Sequence, residues 1–534
     1  MFSTNNYDII IVGGGISGLF LASKLSDTDL SILLVEASDT WGGRVHTVKK
    51  DKHVFECGAA RFHINHTKLL SLLYELNLQE SIFELPSTIK HILRGKQRNY
   101  PYQTENKLDS EELLIQSVKL QNEQKVNLQN ITMFQYLIQL YDFETASFIK
   151  DSFGYDSEFL ELNAEAALEM FSEDLFSENK YYVLGGGLSQ VVDAILTKLK
   201  TKSNVTLKLS SPVTDVSETQ ITLEKETYYF NRLLLTVPPS ALMEFPLIKD
   251  TQLLDSVKSI PLLRIYAKYP VKKGHVWFKN IKRTTTDNYL RHIIPIDYEK
   301  GLIMISYTDG FYTELWNHSY SCGEDVLIEH LHKEVKDVFG IEPPQPEFIS
   351  FHLWSEGLHV WKPGSSIQEV TKHIVNPYPS IFICGEGFSK KQGWIEGCLE
   401  TCYDVLTMLK LPGIDVIEES NVTNKPNVTN KPNVKNKSNK PNEPMIPFSK
   451  VKENNWVVFE HNAKKYVYDV SQWKDKHPGG SQNIEKAIQS TQDYYGSKKG
   501  KSPTELFKEI GRHKSLPLFL EMKKEYIVKQ GILK

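Results

Sequence analysis

The sequence predicts an α/β fold: a Rossmann-like layer of parallel strands and helices, an α+β domain built around it, and a small α+β domain appended. Three observations carry this expectation. Tyr7 to Val12 is a continuous apolar, β-branched run that leads through glycines into an apolar helical stretch, LFLASKL, the pattern of a strand buried on both faces followed by a helix. Helical periodicity recurs in EELLIQSVKLQ and TMFQYLIQLY. From Asn421 to Pro444 the composition changes to an Asn/Lys/Pro repeat without aromatic residues, which separates the long N-terminal part from a short C-terminal one.

The first strand is followed by Gly13, Gly15 and Gly18 in G-x-G-x-x-G spacing. The first glycine permits a tight turn and the second lets a pyrophosphate approach the backbone. The third lets helix and strand pack closely, and the helix N-terminus, beginning at Ile16 and Ser17, faces the anion. A second strand, SILLVEA, ends in Glu36, 18 residues beyond Gly18, where a carboxylate accepts hydrogen bonds from an adenosine ribose. Strand, glycines, helix, strand and terminal acid together predict a dinucleotide site.

The next residues are Trp41-Gly42-Gly43-Arg44-Val45, and this segment resembles the second signature of the flavin amine oxidase superfamily. Further segments extend the resemblance over the first 410 residues or so: Phe55 to Phe62, Leu184 to Gln190, Ser211-Pro212-Val213, Thr236 to Pro239, Ile383 to Glu386 and Gly393 to Gly397. The resemblance implies an FAD-binding Rossmann-like domain and an α+β substrate domain. It places Gly43 and Arg44 against the FAD pyrophosphate, Ala60 and Arg61 in a turn over the flavin, and Val213 beside the adenine. Glu386 is expected near the ribityl or pyrophosphate region, and Ile395 at a helix N-terminus below the flavin. Arg suits such a role because its planar fork pairs two phosphate oxygens. No cysteine occurs in residues 354–361, where some relatives attach their flavin, so non-covalent FAD is expected.

Members of the family take a hydride from a C–N bond in an apolar, aromatic cage. Trp394 falls at the position of an aromatic wall residue, and Trp361 is chosen as its partner. Core packing is the competing reading for both. Where relatives place a lysine near flavin N5, alternation along Pro261 to Lys268 puts Arg264. An arginine there either anchors a substrate carboxylate or pairs with a buried acid, and Lys268 substitutes for it if the register slips. His63 is a candidate base near neutral pH, against a reading as a hydrogen-bonded core histidine.

The C-terminal part pairs NWVV with KYVYDV, then Trp473, then His477-Pro478-Gly479-Gly480. This resembles a cytochrome b5-like domain, which implies His477 as an axial ligand of haem b. The stretch Asp493 to Lys501, where such domains carry a second histidine, has none. Lys499 lies nearest that position, and the next histidine, His513, resembles a later helix segment. Haem held through His477, haem bound unusually and a haemless fold all stay open.

These readings give residues 1–415 as the flavin amine oxidase-like part, with FAD-binding portions about 1–85, 180–245 and 375–415 and substrate portions about 86–179 and 246–374. Residues 416–447 are expected to be a disordered linker and 448–534 the b5-like domain. Residues 448–534 carry +7, so the remainder of a chain of net charge −4 carries −11, a weak mutual attraction on a tether. No basic–aromatic interleaving points to nucleic acid, and no apolar run reaches the roughly 20 residues of a membrane span. Five scattered cysteines and no leader pattern point to a reducing, cytoplasmic setting. The favoured function is oxidation of an amine or amino acid, with O2 or a haem as electron acceptor. A desaturase or protoporphyrinogen-oxidase-like enzyme, and a non-catalytic flavin-containing binding protein, are the alternatives.

Overall fold

The computed structural model describes residues 5–85, 89–99, 110–121, 127–175, 180–249, 252–411, 445–454, 456–461, 464–471, 481–496, 502–503 and 528–533. The Asn421–Pro444 repeat, the His477-Pro478-Gly479-Gly480 turn, Lys499 and His513 lie outside the described residues. The chain forms two compact units, Met1–Asn430 and Lys431–Lys534.

In the first unit, Asn6–Val12 lies between Ile32–Val35 and Glu226–Leu235 and is parallel to both. Val205–Lys208 extends this sheet on one side, and Ile381–Ile383 pairs in parallel with Glu226–Leu235 on the other. Ile9, Ile10 and Ile11 are buried together with Ile32, Leu33 and Leu34, the two-sided burial that a parallel sheet covered by helices imposes. The helices Ile16–Leu25, Ser189–Leu199 and Ile395–Leu409 belong to the same core.

A second sheet carries the substrate portion. Its order is Phe348–Trp361, Val257–Lys268, Leu302–Asp309, His292–Asp297, Thr284–Thr286, Lys90–Leu93 and Lys96–Asn99. The predicted helical stretches form Ser110–Leu120 and Met133–Leu140. The second is capped by Thr132, whose hydroxyl accepts from Gln135 N–H while the Gln135 side chain accepts from Thr132 N–H, satisfying two donors that a helix start otherwise leaves open.

The long strand Val257–Lys268 shifts register between Ile265 and Tyr266 against Leu302–Asp309. The extra residue, Ile305, lies on Leu302–Asp309, so alternation along Val257–Lys268 is kept and Arg264 and Lys268 share a face. Lys268 nevertheless does not substitute for Arg264: its ammonium pairs with Glu347, and it is absent from the cavity that Arg264 lines.

In the second unit, Val457–His461 and Lys464–Asp469 form the antiparallel pair expected from their alternation. Val528–Leu533 and Met445–Ile446 complete a four-stranded sheet. Among the described residues no helix is long and apolar enough to cross a membrane, and no cluster of His, Cys, Asp and Glu is arranged to hold a metal ion.

Candidate active site

One cavity of about 690 Å3 is lined by the glycine turn, by the Gly42-Gly43-Arg44 segment and by aromatic and cationic side chains from the substrate portion. Gly13 has φ +109°, and a Cβ there would come within 2.7 Å of Thr236 Oγ1. Gly15 precedes the helix Ile16–Leu25 without any side-chain cap, and a Cβ added to it meets nothing within 4 Å. That open space beside uncapped helix N–H groups is the cradle a pyrophosphate needs. Gly18 serves differently from the other two. It does not line the cavity, and its Cβ would sit 1.9 Å from Gly13 O, so its work is helix–strand packing.

Glu36 closes the turn from the neighbouring strand. One carboxylate oxygen accepts from Gly14 N–H at 2.6 Å, and the other accepts from Ser38 N–H and Ser38 hydroxyl, each at 2.8 Å. The carboxylate therefore stabilises the turn while it faces the cavity. Val213, first residue of Val213–Val216, and Gly43, Ile16 and Ser17 also line it.

Arg44 Nη1 donates to Glu386 Oε1 at 2.7 Å and to Gly357 O at 3.2 Å. Glu386 also accepts from Gly393 N–H at 2.8 Å and pairs with His359 Nδ1. Burial would raise the Glu386 carboxyl; the Arg44 and His359 charges outweigh it and hold the group well below the usual carboxylate range. His359 is fully buried, with no partner at Nε2. These residues fit FAD: backbone donors and a helix start for the pyrophosphate, an acid at the end of the second strand for the ribose, and an arginine half-exposed to the cavity.

The second group of lining residues gathers around Arg61 and Arg264. Arg61 lies over the Tyr181 ring at 4.7 Å and the Trp394 ring at 6.0 Å, with Tyr155 Oη at 3.4 Å. Expected in a cofactor-binding turn, it lines the same cavity as the glycine turn, among aromatic residues; Ala60 beside it lines the cavity as well. Arg264, 9% exposed, donates to Glu56 O at 3.0 Å and lies over the Tyr307 ring at 4.7 Å.

Trp394 lines the cavity, stacked on Tyr181 at 6.1 Å and edge-on to His66 at 4.8 Å. It immediately precedes Ile395, the first residue of Ile395–Leu409. Trp361 also borders the cavity, but as a core residue: it is 1% exposed and its indole N–H donates to Ser389 O at 3.1 Å. The aromatic partner of Trp394 is thus Tyr181, not Trp361. His63 is buried at the cavity lining, and its Nδ1 accepts from Asn65 N–H at 3.1 Å, a bond that fixes the turn.

Sequence reasoning missed Tyr155, Tyr307, His359 and His66, and Tyr181 packed behind Trp394. Each is spaced like an ordinary core residue in its own segment, and only chain crossings bring it to the cavity. The one available signal was His359, inside the Trp354 to Trp361 segment already singled out.

A family model described as flavin containing amine oxidoreductase matches residues 16–404. Human amine oxidase [flavin-containing] B is 33% identical over 101 residues, covering 18% of this chain and 19% of that protein. The horse amine oxidase [flavin-containing] A is 34% identical over 98 residues, 18% of each chain. These alignments with curated relatives thus span under a fifth of the relatives' length. Wild-type putrescine oxidase bound to putrescine superposes with a TM-score of 0.61 at 17% identity, covering 76% of this chain and 99% of that one. A protein from Exiguobacterium sp. 255-15 bearing a protoporphyrinogen oxidase designation superposes at 0.57 and 16% identity, covering 77% and 99%. The glycine turn, the Arg44 segment and the closing Glu386 and Ile395 motifs all fall within or at the edge of the matched span, and the chain belongs to the flavin containing amine oxidoreductase family.

Proposed function

We propose that this chain is an FAD-dependent oxidoreductase that removes a hydride from a carbon bonded to an amine nitrogen. The observation that carries the reading is the single cavity shared by the uncapped glycine turn and the aromatic side chains of Trp394, Tyr155 and Tyr307. Bound non-covalently, FAD supplies the hydride acceptor at its N5. The Gly13 to Ser17 backbone and Arg44 bind the pyrophosphate, and Glu36 orients the ribose. Trp394, Tyr155 and Tyr307 give the amine aromatic surface and exclude water, which favours the neutral amine over its ammonium form.

The reading is tested by the absorption spectrum of the purified full-length protein, repeated anaerobically with a panel of amines and amino acids. A flavin band bleached by one of them supports it. A bound flavin that no amine or amino acid bleaches sinks it and turns attention to the second reading, a desaturase or protoporphyrinogen-oxidase-like enzyme, which the likeness to the Exiguobacterium protein favours.

The second unit is proposed as a cytochrome b5-like domain with His477 as haem ligand and acceptor of electrons from the flavin, with O2 as the alternative acceptor. The antiparallel pair Val457–His461 and Lys464–Asp469 supports that reading. A Soret band absent from the full-length protein would leave O2 and a haemless domain. A reducing, cytoplasmic compartment is part of the proposal, supported by five cysteines that are all free thiols.

A further inference from the structure

Arginine is always charged at physiological pH, so a buried guanidinium needs a counter-charge or a ligand that brings one. Elsewhere in the first unit each such arginine has its acid. Arg44 pairs with Glu386, Arg291 with Asp156, and Arg94 with Glu144, Asp151 and Asp287. Three arginines break that pattern. Among the described residues, no carboxylate lies within ion-pair distance of Arg61, Arg264 or Arg283.

What they have instead is neutral. The Arg61 side chain meets the Tyr155 hydroxyl at a long 3.4 Å and the faces of Tyr181 and Trp394. Arg264 has a backbone carbonyl and the Tyr307 ring. Arg283 has a buried Nε without a hydrogen-bond partner. Burial and the neighbouring Arg61 charge push Arg283 down to about 10, and the nearby His292 is held well below its ordinary value by burial and by Arg283, Arg291 and Arg61. The Glu56 carboxylate feels the Arg264 charge but makes no ion pair with it. Its two oxygens accept from Leu188 N–H at 2.6 Å and Thr47 hydroxyl at 2.7 Å, and the hydrogen bond from Arg264 goes to the Glu56 main-chain carbonyl.

Arg61 and Arg264 both line the cavity that also holds the Trp394 wall, whereas Arg283 adds its charge from behind the lining. We infer that Arg61 and Arg264 bind the carboxylate of an amine substrate, so that the chain acts on amino acids and rejects cationic polyamines. This rests on the oxidoreductase reading above and names its substrate class. A carboxylate between two guanidinium forks replaces lost water with charge-assisted hydrogen bonds. The rings of Tyr155, Tyr307 and Trp394 offer apolar surface to the rest of the substrate. An ammonium brought against Arg61 and Arg264 meets like charge; the lining glutamates Glu158, Glu169, Glu173 and Glu356 stand at ion-pair distance from neither guanidinium.

The test uses the flavin-loaded full chain under anaerobic conditions and three probes: phenylacetate, phenethylamine and inorganic phosphate. Flavin content is measured first, so that failure to hold FAD is seen as failure of the oxidoreductase reading; calorimetry with the same probes then still decides the charge preference. The expected result is phenylacetate binding at least tenfold tighter than phenethylamine, with affinity falling as salt rises. Arg264→Met and Arg61→Gln should each weaken phenylacetate at least tenfold while FAD stays bound. Tighter binding or flavin bleaching by phenethylamine overturns the inference and leaves the oxidoreductase reading standing. Tighter binding of phosphate overturns it too, as does wild-type phenylacetate affinity in both variants. If a variant fails to fold, the charge preference of the wild-type chain decides.

Discussion

Arg44 Nη1 lies 2.7 Å from Glu386 Oε1, joining residues 342 positions apart in sequence. The pair ties the segment after the second strand to the closing motif, and His359 completes it from the substrate sheet. Removing the buried Glu386 carboxylate leaves its partners without their acceptor, but Arg44 stays half-exposed to the cavity, so the cost is about 1–3 kcal/mol. Glu386→Ala is therefore expected to lower the stability of the first unit by about that amount and to weaken FAD binding. Urea unfolding of flavin-free protein, followed by FAD titration, separates the two effects.

The two glycines Gly15 and Gly18 should respond differently to the same added methyl. Gly15→Ala meets no protein atom within 4 Å, so stability without flavin should change by no more than about 0.5 kcal/mol. FAD affinity should nevertheless fall at least tenfold, because the methyl occupies the cradle. Gly18→Ala drives its methyl into Gly13 O and should cost roughly 1–3 kcal/mol of stability with or without flavin. Equal flavin-free stabilities for the two variants would remove the distinction.

Glu56 provides a pH signature. Burial raises its carboxyl to about 6, against the Leu188 and Thr47 hydrogen bonds that lower it. The folded state holds this proton more tightly than the unfolded chain, whose glutamates titrate near 4.3. Stability from this group is fully present at low pH and declines as pH rises through about 6, by ~2 kcal/mol in all. Glu56→Gln, which can keep both hydrogen bonds, should remove that decline. The check is the difference in urea midpoint between the two proteins from pH 4 to 7; parallel curves would refute the assignment.

Trp361 and Trp394 are both tryptophans beside one cavity, but they should behave oppositely. Trp361→Ala empties a core position and should cost about 3–5 kcal/mol. Trp394→Ala removes a half-buried wall ring, so its larger effect should fall on substrate affinity and flavin reduction rate. Thermal unfolding alongside anaerobic flavin bleaching distinguishes them.

His477→Ala offers a spectroscopic check on the second unit. If the domain binds haem through that residue, the substitution removes the Soret band and leaves the flavin absorbance unchanged. An undiminished Soret band would locate the haem elsewhere.

The sequence by itself determined the parallel strand at Tyr7 to Val12, the glycine turn, Glu36 and the motifs that hold a dinucleotide. These are legible because backbone geometry and burial dictate residue type locally: a turn that needs positive φ selects Gly13, and a two-sided strand selects isoleucine and leucine. The antiparallel pair in the C-terminal unit was readable for the same reason. Only the tertiary structure decided which side chains share the cavity. Trp361 and Trp394 are equivalent as letters, yet the path of Phe348–Trp361 carries one into the core while the turn before Ile395 leaves the other on the wall. Arg264 and Lys268 share a strand face, yet Lys268 pairs with Glu347 and only Arg264 lines the cavity. The gathering of Arg61, Arg264 and Arg283 beside aromatic rings, with no carboxylate at ion-pair distance among the described residues, depends on segments more than 200 positions apart. Charge balance at a buried site is a property of packing in three dimensions, and no local pattern encodes it.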